Sequence, residues 1–265
     1  MHTMRIPVLA LTLSLMLAHE SSAARTLECA AKSGLTRVAM LELYTSEGCD
    51  SCPPADRWLS ALPTQELGFD KLVPIALHVD YWNYLGWVDR FANAQFTQRQ
   101  RTVSARNRSS EIYTPQRVLN GRDYRPPMTH DDTALRVAEI NRAAPGAEIS
   151  LRITGAIPKF TIDLHVRATA RADSVDADTY LAVIENGLES AVARGENRGK
   201  RLKHDFVVRT LLGPFPLGSS GAQELTKTLE LAADVKPDRS VVIAFTENRR
   251  TGDVLQALAL PMCES

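Results

Sequence analysis

Apolar and polar residues along the first half of the chain follow the pattern of strands that alternate with helices. A short apolar run at 38–44 indicates a buried strand. Residues 53–67 carry apolar side chains at helical spacing, and Pro53-Pro54 suits the first turn of a helix. A second apolar run at 71–79 indicates the next strand. These segments together predict a β-α-β unit.

The segment after this unit is less regular. It begins with an aromatic-rich stretch at 80–87 and continues into a polar helix predicted over 89–107. A strand is predicted at 116–119, because the Asn-Gly pair that follows it is a strong signal for a two-residue hairpin. A last helix is predicted over about 129–144, where a Pro-Gly pair ends it.

Beyond residue 146 the pattern changes to regular alternation. Every second residue is apolar from Phe160 to Ala168, which is typical of a half-buried antiparallel strand. Segments of similar character cover residues 148–154, 160–169, 179–185, 201–210, 225–232, 240–246 and 254–260. So many short strands predict an antiparallel β-sandwich. We therefore expect one domain at 25–146 and a second at 147–265.

The start of the chain has the pattern of a targeting signal. A basic start precedes an apolar run from Ile6 to Ala18, and small residues offer cleavage near Ala23 or Ala24. The run is too short to span a bilayer as a mature helix, and no other stretch is apolar enough to do so. The sequence predicts a signal peptide at 1–24 and a periplasmic or secreted mature protein without a membrane span.

Charge excludes one class of partner. Lysine plus arginine and aspartate plus glutamate both number 31, so the chain is neutral overall. A neutral chain has no electrostatic basis for nucleic acid as its main partner. A basic loop at 194–203 is interpreted as a solvated connection between two strands. Candidate chemistry is therefore sought in the cysteines.

Two cysteines lie at the turn between the first predicted strand and the first helix. Cys49 and Cys52 form a Cys-x-x-Cys motif, which in this position is typical of a redox-active pair. A helix N-terminus favours a thiolate, although the carboxylate of Asp50 opposes it. We predict a thiol–disulfide oxidoreductase in which Cys49 attacks a substrate disulfide and Cys52 resolves the mixed disulfide, without a dissociable cofactor.

Three other interpretations of this pair stay open. It could be a permanent structural disulfide, although so short a loop closes almost no chain. Cys49 and Cys52 could bind copper or zinc together with His78, since thiolates and imidazole suit both metals. The protein could instead be a non-catalytic binding module of the cell envelope, in which the cysteine-bearing half is vestigial.

The other two cysteines lie near the ends of the mature chain. Cys29 follows the predicted cleavage point, and Cys263 lies close to the last residue. In an oxidising compartment the simplest pairing joins Cys29 to Cys263 as a structural disulfide. The alternative is two unpaired thiols.

Four sequence motifs resemble one known family. They lie at 45–56, 78–82, 85–89 and 113–116 and read TSEGCDSCPPAD, HVDYW, LGWVD and YTPQ. In combination they resemble a bacterial secreted, thioredoxin-like family catalogued as domain of unknown function 1223. The resemblance implies an α/β thioredoxin-like N-terminal domain with a helical insertion, followed by a β-rich domain, here the antiparallel β-sandwich.

The thioredoxin resemblance also implies roles for three more residues. Thr114-Pro115 matches the cis-proline loop that faces the redox pair, which would place the Thr114 backbone beside Cys49 to pair with an extended substrate. Glu42 is offset by one residue from the buried acid that moves a proton to or from the resolving thiol. Glu42 could equally be an exposed strand residue. The implied partner is a protein thiol or disulfide in the cell envelope.

Overall fold

A computed structural model describes residues 26–125, 131–170 and 175–263. The signal peptide predicted at 1–24 lies outside the described residues, as does the predicted start of the last helix near 129. Strands make up 44% of the described residues and helices 18%. The protein is therefore mainly β-sheet.

The described helices and strands are as follows. The strands are β1 (Thr26–Lys32), β2 (Ala39–Thr45), β3 (Leu72–His78), β4 (Gln116–Leu119), β5 (Arg122–Asp123), β6 (Ala147–Ala156), β7 (Lys159–Ala168), β8 (Ala177–Glu185), β9 (Leu188–Ala191), β10 (Arg201–His204), β11 (Val207–Pro216), β12 (Ala222–Glu230), β13 (Ser240–Asn248) and β14 (Val254–Pro261). The α-helices are α1 (Cys52–Ala61), α2 (Ala94–Arg106) and α3 (Thr133–Asn141). The strand predicted at 201–210 is split into β10 and β11, because Phe206 has a φ of 59° and interrupts the extended backbone.

Strands from both halves of the chain form one mixed sheet. Its order is β14-β13-β8-β11-β3-β2-β4-β5. β2 runs parallel to β3, and β11 joins the other edge of β3 in parallel where Val207 pairs with Ala76. β11 therefore covers an edge whose backbone groups an isolated β-α-β unit would leave unpaired.

This topology corrects the expected fold class. The prediction of an α/β thioredoxin-like N-terminal domain with a helical insertion, plus a C-terminal antiparallel β-sandwich, is wrong. β8, β11, β13 and β14 continue the sheet begun by β2 and β3, so the two halves share one sheet. α2 is no insertion, because its Phe96 and Val103 pack in the same core as β2 and β3. Alternation along a strand shows which face is buried but not which strand lies beside it.

A second sheet and the helices pack on the faces of this mixed sheet. A second, four-stranded antiparallel sheet, β1-β6-β7-β12, packs on β8 and β13, where Leu164, Leu181 and Val242 are buried together. α1 and α2 lie on opposite faces of β2, because Thr45 contacts α1 whereas Glu42 contacts α2. The N-terminus of α1 is thereby fixed at the carboxyl end of β2.

Candidate functional site

A disulfide lies at the start of α1. Cys49 and Cys52 are bonded, with Cα atoms 5.5 Å apart, and α1 begins at Cys52. Both cysteines are 0% exposed, while Asp50 and Ser51 between them are exposed. The oxidised pair is therefore buried directly beneath a surface turn, which we call the cysteine turn (residues 48–52).

A second disulfide joins the two ends of the described chain. Cys29 of β1 is bonded to Cys263, which follows β14, with Cα atoms 6.0 Å apart. The bond spans 234 residues of sequence. No free cysteine is found in the described part of the chain.

The loop before β4 approaches the cysteine turn. Pairing between β4 and β2 places Thr114 and Pro115 at the carboxyl end of β2, and the peptide bond between them is cis. Trp82 connects the two loops. Its indole N–H donates to Thr114 Oγ1 at 2.7 Å, and its Cβ lies 3.0 Å from the position that a Cβ on Gly48 would take. A larger residue at position 48 would therefore press on Trp82.

Glu42 is buried, but the structure does not bring it to the cysteines. Its carboxylate accepts hydrogen bonds from Tyr44 Oη at 2.7 Å and from Arg99 Nε at 2.6 Å. Arg99 in turn pairs with Glu247 at 2.8 Å. Glu42 therefore belongs to an ion-pair cluster beneath α2, on the face of the sheet opposite to α1.

A buried histidine lies between two carboxylates beside the cysteine turn. His204 of β10 has Nε2 3.4 Å from Glu47 Oε1 and Nδ1 3.5 Å from Asp56 Oδ2. These separations are those of ion pairs rather than of well-formed hydrogen bonds. Burial lowers the pKa of His204, but Asp56 and Glu47 outweigh it and raise the pKa to about 9. The ring is therefore an imidazolium at neutral pH.

Glu47 extends this network toward β3. Its second oxygen accepts the indole N–H of Trp87 at 2.7 Å. Burial raises the pKa of Glu47, but the pairing with His204 and the hydrogen bond of Trp87 contribute to a net lowering. Asp89 Oδ2 lies 2.7 Å from His78 Nδ1 and accepts the backbone N–H of Glu47 at 2.9 Å. His204 and Trp87 thus stabilise the negative charge of Glu47, while the nearby carboxylate of Asp89 opposes it.

A segment of the C-terminal half is hydrogen-bonded to the cysteine turn. We call residues 192–200, between β9 and β10, the strap. Asn197 in the strap is 0% exposed, and its Nδ2 donates to the backbone oxygens of Glu47 at 2.9 Å and Cys49 at 2.8 Å. The predicted solvated loop therefore contributes directly to the candidate site.

The stability of the protein should fall as the pH rises from about 6.5 to about 9. The pKa of His204 is 6.5 in its ordinary state and about 9 in the folded protein. Its contribution is complete below the lower value and is lost as the pH rises through the upper one, at most about 3 kcal/mol. Urea unfolding across this range should show the loss, and His204→Gln should remove that part of the profile. Equal profiles for both proteins would contradict the prediction.

Sequence reasoning missed four charged or polar residues of this site, which are Glu47, Asp56, Asn197 and His204. Asp56 follows Cys52 by four positions in α1, and that helical spacing was a usable signal. His204 and Asn197 have no such signal, because only the tertiary fold brings β10 and the strap to the cysteine turn.

The structure also bears on metal binding and on membrane spans. Within the described residues, no group of three or more histidine, cysteine or acidic side chains is arranged to hold a metal ion. His78, the third ligand of the copper or zinc interpretation, is held by Asp89. In the same part of the chain, each helix is too short or too polar to cross a membrane.

Comparison with known proteins gives one family. The family described as "Protein of unknown function (DUF1223)" matches residues 40–247, which include both the cysteine turn and the strap. The chain belongs to the DUF1223 family. The predicted family is therefore confirmed, whereas the thioredoxin-like character attached to it is not shown by this match.

Two solved structures are similar to this DUF1223 protein. Protein AGR_C_4864 from Agrobacterium tumefaciens is 25% identical with a TM-score of 0.59, covering 86% of this chain and 96% of that one. HBP35 of Porphyromonas gingivalis is 14% identical with a TM-score of 0.65, covering 86% and 76%, and this likeness concerns the fold alone. No curated protein matches the chain.

Proposed function

We propose that this protein is a thiol–disulfide oxidoreductase whose reactive group is the Cys49–Cys52 disulfide. The observation that carries the proposal is a disulfide closed across three residues at the start of a helix. So short a loop removes little chain entropy, so stabilisation is a poor reason for the bond. The N-terminus of α1 favours the thiolate that forms when the bond opens.

The proposed reaction transfers two electrons between a protein dithiol and the cysteine pair. A substrate thiolate attacks Cys49 Sγ, the Cys49–Cys52 bond breaks, and Cys52 leaves with the electron pair as a thiolate. A second substrate thiolate then attacks the mixed disulfide and releases Cys49. The substrate loses two electrons and two protons, and the pair gains both as two thiols. The reverse sequence reduces a substrate disulfide, and the Thr114-Pro115 loop would align the substrate backbone in either direction.

The proposed location is outside the cytoplasm, so that the protein is either periplasmic or secreted. Both disulfides support it, because such bonds persist in oxidising compartments. The sequence of the first 24 residues supports it as well, since it has the pattern of a cleaved signal peptide. The proposed substrates are therefore protein thiols or disulfides of the cell envelope.

We expect the strap to limit access to the buried pair, because it is hydrogen-bonded to the cysteine turn. Asn197→Ala removes two hydrogen bonds to the cysteine turn, worth about 1 kcal/mol each, so the strap should open about 30-fold more often. We expect dithiothreitol to reduce Cys49–Cys52 correspondingly faster, as measured by alkylation and mass spectrometry. Asn107→Ala is the matched control, because Asn107 also donates to two backbone oxygens, those of Val103 and Gly121. Equal rates in both variants would contradict a gating strap.

Insulin reduction by dithiothreitol tests the proposed activity. The mature wild-type protein should make insulin precipitate faster than dithiothreitol alone does. With the Cys49→Ser variant, insulin should precipitate at the rate seen with dithiothreitol alone. The double variant Cys29→Ser/Cys263→Ser removes the other disulfide and should retain the activity where it is folded. A wild-type protein no faster than Cys49→Ser would contradict the proposal and favour a non-catalytic binding module.

A further inference from the structure

The charged cluster beside the disulfide is not needed to balance a charge on the cysteines in the oxidised state of the protein. A disulfide is neutral and needs no counter-charge. Glu47, Asp56 and His204 are nevertheless all buried there, with His204 between the two carboxylates. Removing such groups from water is costly even when they are paired. Their position therefore points to the other redox state, in which a cysteine carries charge.

The geometry connects this cluster to Cys52 in particular. Asp56 lies one turn after Cys52 in α1, and side chains four residues apart in a helix are neighbours. Asp56 Oδ1 accepts the Thr45 hydroxyl at 2.8 Å, which leaves Oδ2 to face His204 Nδ1. The helical spacing therefore puts the Asp56 carboxylate, which faces the imidazolium, on the same face of α1 as the resolving cysteine.

The charged and titratable surroundings of His204 come from three elements. They are Asp56 from α1, Glu47 from the loop after β2, and His78 from β3, whose ring centroid lies 5.0 Å from that of His204. His78 is itself paired with Asp89. With Asp56, Glu47 and His204 charged, this group carries a net charge of minus one, and loss of the imidazolium would make it minus two.

We infer that His204 is a positioning residue that acts through Asp56 to stabilise and protonate the Cys52 thiolate formed when the disulfide opens. The inference rests on the proposed function. Attack on Cys49 expels Cys52 as a thiolate with no exposed surface. The His204 imidazolium passes one proton by way of Asp56 to Cys52 Sγ, and the neutral imidazole recovers a proton from solvent. The substrate thiol has released one proton to solvent, so the step is balanced.

Equilibration with glutathione tests this role without a protein substrate. At a pH at which Cys52 of the reduced wild-type protein is ionised, His204→Gln should shift the equilibrium about tenfold toward the disulfide, because the cation that offsets Asp56 and Glu47 is lost and the thiolate is destabilised by about one pKa unit. The ultraviolet absorbance of the thiolate against pH should show the raised thiol pKa directly. His165→Gln is the control, since His165 is an exposed histidine of β7 paired with Glu224.

A second substitution separates charge from packing. Asp56→Asn alone keeps His204 and Glu47 and should shift the glutathione equilibrium toward the dithiol. Combined with His204→Gln, it should return the equilibrium most of the way to wild type. Glutathione equilibria of both single variants that stay within about twofold of wild type would overturn this inference but not the proposed function. Effects of the single variants that do not compensate in the double variant would do the same. A wild-type pair that excess dithiothreitol does not reduce in the folded protein would overturn the proposed function as well.

Discussion

Arg99→Met should lower the free energy of unfolding by about 3–5 kcal/mol. The guanidinium of Arg99 is buried, with nitrogens 2.6 Å from Glu42 and 2.8 Å from Glu247. Methionine keeps the apolar stem but leaves both carboxylates buried, and Arg106 remains paired with Glu247 alone. Breaking a buried ion pair from one side is costly because the other partner stays uncompensated.

The large expected effect follows from the position of this cluster between the halves of the chain. Arg99 lies in α2, Glu42 in β2 and Glu247 in β13, so one guanidinium joins a helix and two distant strands. The rings of Tyr180 and Phe245 add cation–π contacts at 4.9 and 5.0 Å. Burial lowers the pKa of Arg99, but Glu247 and Glu42 outweigh it and raise the pKa well above its usual value. The arginine is therefore a permanent cation.

Urea unfolding at neutral pH measures this loss. Arg136→Met is the matched control, because Arg136 is half exposed on α3 and pairs only at the surface, where ion pairs contribute little. The double variant Arg99→Met/Glu42→Gln removes one of the stranded charges and should recover part of the loss. A free energy of unfolding for Arg99→Met within about 1 kcal/mol of the wild-type value would contradict the role assigned to the cluster.

The two disulfides should differ sharply in their effect on stability. Replacing Cys29 and Cys263 with alanine should cost about 5 kcal/mol, because the bond between them closes a loop of 234 residues in the unfolded chain. Replacing Cys49 and Cys52 with alanine removes a bond across three residues and should cost about 2 kcal/mol by the same entropy argument.

The same unfolding measurement compares the two double variants directly. The larger loss for Cys29→Ala/Cys263→Ala would mark that bond as the structural one. A smaller loss of unfolding free energy for Cys49→Ala/Cys52→Ala would favour a redox role, rather than a structural one, for the short disulfide loop. The opposite order would indicate that the pair at α1 serves stability, and it would weaken the proposed function.

Local patterns made several elements predictable from the sequence, but not their neighbours. The run at 38–44 corresponds to β2, and the alternation from 160 to 168 corresponds to β7. The choice of β11 as the partner of β3 has no local signature, since it rests on one parallel pairing between Val207 and Ala76. The fold class was wrong because the partner of each strand is a long-range property.

The candidate site divides in the same way. Cys49, Cys52 and Thr114 belong to short motifs, so their places near one turn could be inferred from the sequence. The thioredoxin resemblance implies a role for Glu42, which lies on the strand before the cysteines, yet alternation along that strand turns it toward α2. His204 could not be predicted from the sequence, because only the tertiary fold brings β10 beside α1.

Trapping of a substrate tests the central claim most directly. Cys52→Ser leaves Cys49 as a free nucleophile without its resolving partner, so a mixed disulfide with a substrate protein should accumulate. The variant, produced in a bacterial envelope, should give adducts on non-reducing gels that dithiothreitol releases and that mass spectrometry locates at Cys49. The double variant Cys49→Ser/Cys52→Ser should give none. Identical gels for both variants, with Cys49 unmodified, would contradict the claim that this disulfide exchanges with protein thiols.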